Sequence, residues 1–148
     1  MSFISDLKAW KKTEREFAKL LLDCPDVTRI EFPEWKSKER DIRVMKWCEI
    51  ITYEIKTDFK ADETWNFVIE TRFNWKASWI YASKADYIVY YILWKRYIQE
   101  RWELILRLIN CEKRETKWWD WYKSELYVIS IDNLPNLFNT ITTEDVQW

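Results

Sequence analysis

Two short runs, Asp41 to Lys46 and Glu49 to Asp58, alternate polar with apolar residues and are separated only by Trp47-Cys48. That pattern predicts a β-hairpin with a two-residue loop. If Lys46 pairs with Glu49, counting outward sets Asp41 directly opposite Glu54. Cross-strand partners bring their Cβ atoms to about 4.5–5.5 Å, where like charges repel unless a cation lies between them. A divalent metal would remove the conflict. Alternation gathers Asp41, Arg43, Thr52, Glu54, Lys56 and Asp58 on one face, and Ile42, Val44, Ile51, Tyr53 and Ile55 on the other. The hairpin is therefore expected to bury the apolar face and offer the charged one. Glu54-Ile55-Lys56 then presents a carboxylate and an ammonium two residues apart on one strand face. Glu34-Trp35-Lys36 has the same spacing but follows Pro33 in a charged loop, with no strand to orient it. The plainer reading of the hairpin is a solvated face with ordinary ion pairs, such as Glu39 with Lys56 and Asp58 with Lys38.

The elements around the hairpin follow from periodicity. From Ser5 to Asp23 the residues Leu7, Phe17, Leu20, Leu21 and Leu22 fall mostly on one stripe of a helix, and Cys24-Pro25 supplies the stop. Val27 to Phe32 alternates like a strand, and Pro33 to Arg40 is a charged loop. After the hairpin come Asn66 to Phe73, a turn at Asn74-Trp75, a further run over Ser78 to Asp86, and the β-rich Tyr87 to Leu93. Trp102 to Cys111 reads as a second helix, Lys113 to Lys123 as a cationic, Trp-rich loop, and Glu125 to Ile131 as a late strand. This order predicts one α/β domain over residues 1–148, with a mixed central β-sheet flanked by helices.

Composition narrows the chemistry. A chain of 148 residues with 48% hydrophobic content can bury one core, and 24 Lys+Arg nearly cancel 25 Asp+Glu. A polyanion must then be met by local charge. No histidine is present, which removes Ser-His-Asp systems and His-ligated zinc. Carboxylates and lysines must carry any hydrolysis. Cys24, Cys48 and Cys111 are widely spaced and odd in number, as expected of reduced cytoplasmic thiols rather than a zinc ribbon or a disulfide framework. The apolar run Tyr87 to Trp94 is too short for a membrane span, so a soluble chain is expected.

The sequence contains no glycine and twelve tryptophans, whereas ordinary usage would give roughly ten glycines. Phosphate-binding loops and dinucleotide fingerprints, which need glycine, are thereby excluded. The tryptophans cluster at breaks between periodic segments. Asn74-Trp75 occupies an Asn-Gly turn position, and Lys117-Trp118-Trp119-Asp120-Trp121-Tyr122 has the layout of a Gly-rich loop. Tryptophan thus stands where glycine is expected, and strain is anticipated wherever such a turn requires positive φ.

An acidic residue on one strand of a hairpin and a (D/E)xK triplet on the next resembles the PD-(D/E)xK nuclease superfamily, here through Asp41 and Glu54-Ile55-Lys56. The N-terminal part is similar to archaeal Holliday-junction resolvases, through Glu14-Arg15-Glu16 followed by Phe17-Ala18-Lys19-Leu20-Leu21, with Trp10 at a position where that family tends to have glycine. The resemblance covers about Leu7 to Asp58, and Arg40 replaces the proline of the family name. It implies a restriction-endonuclease-like core, a homodimer, and phosphodiester hydrolysis in DNA. It further implies Mg²⁺ or Mn²⁺ held by Asp41 and Glu54, with the Ile55 carbonyl, and reached by Glu14 directly or through water. Lys56 would orient the attacking water or stabilise charge on the phosphoryl oxygens. Asp58 and, more weakly, Glu70 are outer candidates around the metal. Lys12, Arg15, Lys36, Lys38, Arg40 and Arg43 are expected phosphate contacts, with Lys8, Lys11 and Lys46 beside them. Two alternatives stay open: a non-catalytic nucleic-acid-binding or assembly protein that keeps the fold, and a carboxylate-cluster nuclease of the ribonuclease H type with no essential lysine.

Overall fold

The computed structural model describes residues 3–32, 41–58, 61–74, 76–93, 95–119 and 122–142. The chain opens with helix α1 (Phe3–Leu22), whose last turn carries Lys19 and whose buried stripe is Phe17, Ala18 and Leu21; of the expected stripe, Leu20 and Leu22 are exposed instead, because they point away from the sheet that the helix covers, and the Leu7 side chain lies outside the described ones. Strands β1 (Val27–Glu31), β2 (Ile42–Lys46) and β3 (Glu49–Asp58) follow as an antiparallel meander. Next come α2 (Ala61–Thr64), β4 (Asn66–Phe73), β5 (Lys76–Ala77), α3 (Trp79–Ala82), β6 (Tyr87–Ile92) and β7 (Lys95–Glu100). Helix α4 (Arg101–Leu108), β8 (Lys113–Trp119), β9 (Tyr122–Ser130), a 3₁₀ turn at Ile131–Asn133, α5 (Leu134–Leu137) and β10 (Thr140–Ile141) complete the order.

The strands form a mixed six-stranded sheet, β1-β2-β3-β6-β7-β10, and an antiparallel four-stranded sheet, β5-β4-β9-β8. In the larger sheet β3 and β6 are parallel, and the other neighbours are antiparallel. The mixed α/β class and the central mixed sheet flanked by helices are as expected. The second sheet is not.

Strand β6 explains how the layers meet. Its sequence is apolar throughout, the signature of a strand covered on both faces. Val89 and Tyr91 join α1 residues Phe17, Ala18 and Leu21 and the hairpin residues Ile42, Val44, Tyr53 and Ile55 in one core. Ile88, Tyr90 and Ile92 face the other core, built from Phe67 and Ile69 of β4, Ile129 of β9, and apolar residues of α3, α4 and α5. The Tyr90 hydroxyl donates to the Val68 carbonyl at 3.1 Å, tying the central sheet to β4.

Four expectations are corrected. Lys95–Glu100, given no element from the sequence, is a strand whose charged ends mask its buried Tyr97 and Gln99. Lys113–Trp119, expected as a loop, is an edge strand, where exposed charge is tolerated and alternation is hard to see. The run Ser78–Asp86 contains only one helical turn, α3, because Ser83 to Asp86 bends away to feed β6. The second long helix begins at Arg101 and ends at Leu108, rather than running from Trp102 to Cys111.

Trp47, Trp65 and Trp79 have φ of 51°, 55° and 29°, alongside Asn74 at 49° and Leu93 at 50°. This left-handed region is strained for any residue with a bulky Cβ substituent. Phe73 pairs with Lys76 and Asn74 is a turn residue, while Trp75 of the expected Asn74-Trp75 turn lies outside the described residues. Among the described residues, no helix is long and apolar enough to cross a membrane, and all three cysteines are free.

Candidate functional site at the β2–β3 hairpin

The hairpin has the register derived from its sequence. Lys46 pairs with Glu49, and the ladder runs outward to Ile42 opposite Tyr53, which leaves Asp41 level with Glu54. At that point β2 ends while β3 continues, so among the described residues Glu54 to Asp58 keep a strand neighbour only in β6. The backbone groups on the open edge need other partners. Asp41 supplies one. Its N–H donates to the Tyr53 carbonyl at 3.0 Å, and its Oδ2 accepts from the Ile55 N–H at 2.7 Å. Thr13, buried on α1, supplies another contact, with its hydroxyl 3.1 Å from that of Thr57. The first helix is thereby docked along this edge, which brings Glu14 to the carboxylates.

Glu16, one turn-step further, braces the same helix. It accepts from the Tyr91 hydroxyl and from Arg96 Nη1 at 2.8 Å. The Glu14-Arg15-Glu16 run thus divides its labour. Glu16 anchors α1 to β6 and β7, Arg15 is exposed, and Glu14 is half-buried beside Asp41.

The expectation that the hairpin offers an open charged face is corrected. Glu54 is only 7% exposed and Thr52 6%. Their face stands level with Ile88 of β6 and its neighbours, and it receives the second core. Lys56 Nζ lies 3.4 Å from Glu54 Oε1 and 5.6 Å from the centre of the Trp79 ring, a cation–π arrangement that fixes the ammonium. Glu54 also has a hydrogen bond with Ser83. Its Oε2 is buried with no hydrogen-bond partner among the described residues.

Four of the expected site residues interact electrostatically. Burial pushes the Glu14 carboxyl up to about 7, and the charge of Asp41 adds to the rise while Lys11 and Lys56 oppose it. Burial also raises Asp41, against the Ile55 N–H and Lys56. Glu54 is raised by burial and by Asp41, against Lys56 and Ser83. Burial and mutual repulsion thus outweigh the nearby ammoniums and disfavour the charged forms of all three carboxyls. Hard oxygen donors around a buried, unpartnered Oε2 suit a divalent cation such as Mg²⁺ or Mn²⁺. The match is incomplete, because among the described residues no three acidic or thiol side chains form a ready ligand group.

The remaining candidates separate. Lys11, Lys12 and Arg15 are exposed on α1. Arg43 leans to β1, its Nη1 3.8 Å from Glu31 Oε2. Lys36, Lys38 and Arg40 lie outside the described residues, as does Glu39. Asp58 shares the Lys56 face, level with Ile92. Glu70 lies on β4 in the other sheet and accepts from Ser78. A loop reading no longer applies to Lys113–Lys123, most of which is strand.

Ser83, Trp79 and Arg101 escaped the sequence reading. Ser83 and Trp79 sit in a run with no polar periodicity, and Arg101 reads as one more surface charge at a helix start. No family model, curated protein or solved structure matches the chain.

Proposed function

We propose that this protein is a metal-dependent endonuclease of the PD-(D/E)xK type, resolvase-like or restriction-like, acting on DNA through a restriction-endonuclease-like core. The observation that carries the reading is Asp41, bonded to the main chain of Tyr53 and Ile55 on either side of Glu54, with Glu54 Oε2 buried and without a hydrogen-bond partner among the described residues. Asp41 and Glu54 would hold Mg²⁺ or Mn²⁺, and Glu14 would reach it directly or through water. The bound ion supplies Lewis-acid polarisation of the scissile phosphate and a lowered pKa for water. Lys56, fixed between Glu54 and the Trp79 ring, directs its ammonium at the phosphoryl oxygens, where negative charge grows. Glu14, with a pKa near neutrality, is suited to take and return a proton at its carboxylate. Lys11, Lys12 and Arg15 line the exposed side of α1 beside Glu14 and offer phosphate contacts. A homodimer is expected by analogy with the resolvase-like proteins.

A second reading, a nucleic-acid-binding or assembly protein without catalysis, draws support from the absence of a ready three-residue ligand group among the described residues. Cleavage of labelled plasmid and branched DNA in Mg²⁺ or Mn²⁺ separates the two, with EDTA and Glu54→Ala as controls. Metal-dependent cutting that disappears in Glu54→Ala supports the nuclease. DNA binding without cutting by the folded chain transfers the assignment to the second reading.

A further inference from the structure

The side chains that hold Glu54 and Lys56 both come from the single turn of α3 and its end. Ser83 closes that turn, donating its N–H to the Trp79 carbonyl at 2.8 Å, and its Oγ also accepts from the Ala85 N–H at 3.2 Å. One helical turn is too short to be stable alone. Its carbonyls are held from outside by Arg101, the first residue of α4, which is only 8% exposed. Arg101 Nε donates to the Ile80 carbonyl at 2.8 Å, and Nη2 to the Tyr81 carbonyl at 3.2 Å. Its own N–H donates to the Asp86 carbonyl at 2.9 Å, fixing the stretch that follows Ser83. Its planar fork spans two successive carbonyls, a geometry a lysine does not reproduce.

We infer that Arg101 is a positioning residue for the β3 site, acting through α3 to hold Ser83 against Glu54 and Trp79 beneath Lys56. The guanidinium is also near enough to Glu54 for that carboxylate to offset part of the effect of burial on Arg101. The inference rests on the nuclease reading for its purpose but not for its geometry.

The test compares Arg101→Gln with Arg107→Gln. Arg107 lies on the same helix and donates to the Leu137 carbonyl at 3.3 Å, so its loss reproduces a severed arginine–carbonyl bond at the far end of α4. Two readouts are used on the metal-free and Mn²⁺-loaded chain: the ¹³Cδ resonance of Glu54 and Mn²⁺ affinity by electron paramagnetic resonance. Arg101→Gln is expected to move the Glu54 resonance and weaken Mn²⁺ binding roughly tenfold, the scale seen when groups supporting a metal ligand are removed. Arg107→Gln is expected to leave the resonance in place and affinity within about twofold. An unmoved Glu54 resonance in folded Arg101→Gln overturns the inference. If Arg101→Gln fails to fold, Arg101→Lys takes its place, since it keeps the charge but cannot span both carbonyls. A resonance identical to that of the parent chain would then overturn the idea. If the parent chain binds no Mn²⁺, the nuclease reading fails, while the metal-free Glu54 resonance still decides the role of Arg101.

Discussion

The β2–β3 and β8–β9 hairpins are made of the same ingredients and treat them in opposite ways. Each brings two acidic residues together: Asp41, bonded to the main chain on either side of Glu54, in the first, and the paired Glu115 and Glu125 in the second. Each carries a Glu-x-Lys triplet, Glu54-Ile55-Lys56 and Glu115-Thr116-Lys117. The inward carboxylates are comparably sheltered, with side-chain exposures of 9% for Glu54 and 15% for Glu125. Yet Lys113 Nζ meets Glu125 Oε1 at 2.8 Å, and the Thr71 hydroxyl donates to the same oxygen at 3.0 Å. Burial alone would raise Glu125, but the bonds from Lys113 and Thr71 outweigh it and hold the carboxyl below its ordinary value. Glu54 is raised instead, and one of its oxygens has no hydrogen-bond partner among the described residues. Spacing does not distinguish a site from a structural ion pair; local compensation does. A carboxylate that the fold satisfies at both oxygens is already in use, whereas one left with a buried, unpartnered oxygen is available to a ligand.

The sharpest way to break this contrast is to remove each carboxylate in turn. Glu54→Ala is expected to reduce metal-dependent cleavage by at least about a hundredfold, as loss of a charge-holding group at a reaction centre does. Its effect on melting should be small, because the relief of a buried carboxylate offsets the lost bonds to Lys56 and Ser83. Glu125→Ala should leave cleavage within about twofold while costing about 0.2–1 kcal/mol of stability, the range for its partly exposed pair with Lys113, because the Thr71 hydroxyl keeps the Glu125 main-chain carbonyl as acceptor. Cleavage assays and thermal melts on the same preparations measure both. Equal cleavage losses in the two variants would remove the distinction.

How much of this was legible beforehand follows the range of the interactions. The hairpin register was readable because a two-residue loop fixes pairing locally, and α1 because its stripe and stop lie within one segment. The burial of Glu54 was not, since it arises from β6, about thirty-four positions away by the Glu54–Ile88 pairing. β8 hid for a related reason. As an edge strand it may carry charge at every position, so Lys113 to Lys117 shows no alternation to detect. Trp79 lies in an apolar tetrapeptide, Trp-Ile-Tyr-Ala, that fits a strand as well as a helical turn. The arginine fork from α4 favours the turn, and its donor lies about twenty residues along the chain.

Backbone strain offers the next largest test. Trp47 holds φ at 51° at the tip of the β2–β3 hairpin while 81% exposed, so its side chain gains little in return. Trp47→Gly is expected to stabilise the chain by about 1 kcal/mol, the left-handed penalty less the extra entropy glycine loses on folding. A chain of this size should then melt about 2–4 °C higher. Trp79→Gly should behave differently despite φ of 29°. It removes the ring beneath Lys56 and the edge contact with Tyr90, whose ring centre is 5.6 Å away. Glycine at position 79 is therefore expected to loosen Lys56 and leave a void against the second core, with cleavage and melting temperature both falling. A lower melting temperature in Trp47→Gly would contradict the strain argument.

The two smallest effects have opposite pH signatures, which makes them the finest probe of the contrast. At the β2–β3 site, Glu14 ordinarily titrates at 4.5 and is raised to about 7 in the fold. A raised acid contributes stability that is complete below the unfolded value and is lost as pH climbs through the folded one. Glu14→Gln should therefore match the parent near pH 4 and become more stable by about 1 kcal/mol near pH 8, after discounting for solvent screening at this half-buried position. At the β8–β9 hairpin the signs reverse for Glu125. Its folded value is depressed, so its stabilisation is present above 4.5 and is lost as pH falls through the folded value. Lys113 is raised by its bond to Glu125, so its share persists below 10.5 and is lost as pH rises through its folded value. The pair thus contributes between those limits. Lys113→Met should melt like the parent near pH 3 and be less stable by about 0.2–1 kcal/mol near pH 7, the range for a partly exposed ion pair. Melting curves of the two variants from acid to mildly alkaline pH should accordingly depart from the parent in opposite directions. Departure in the same direction would mean that both hairpins are compensated alike, and the functional distinction between them would fall.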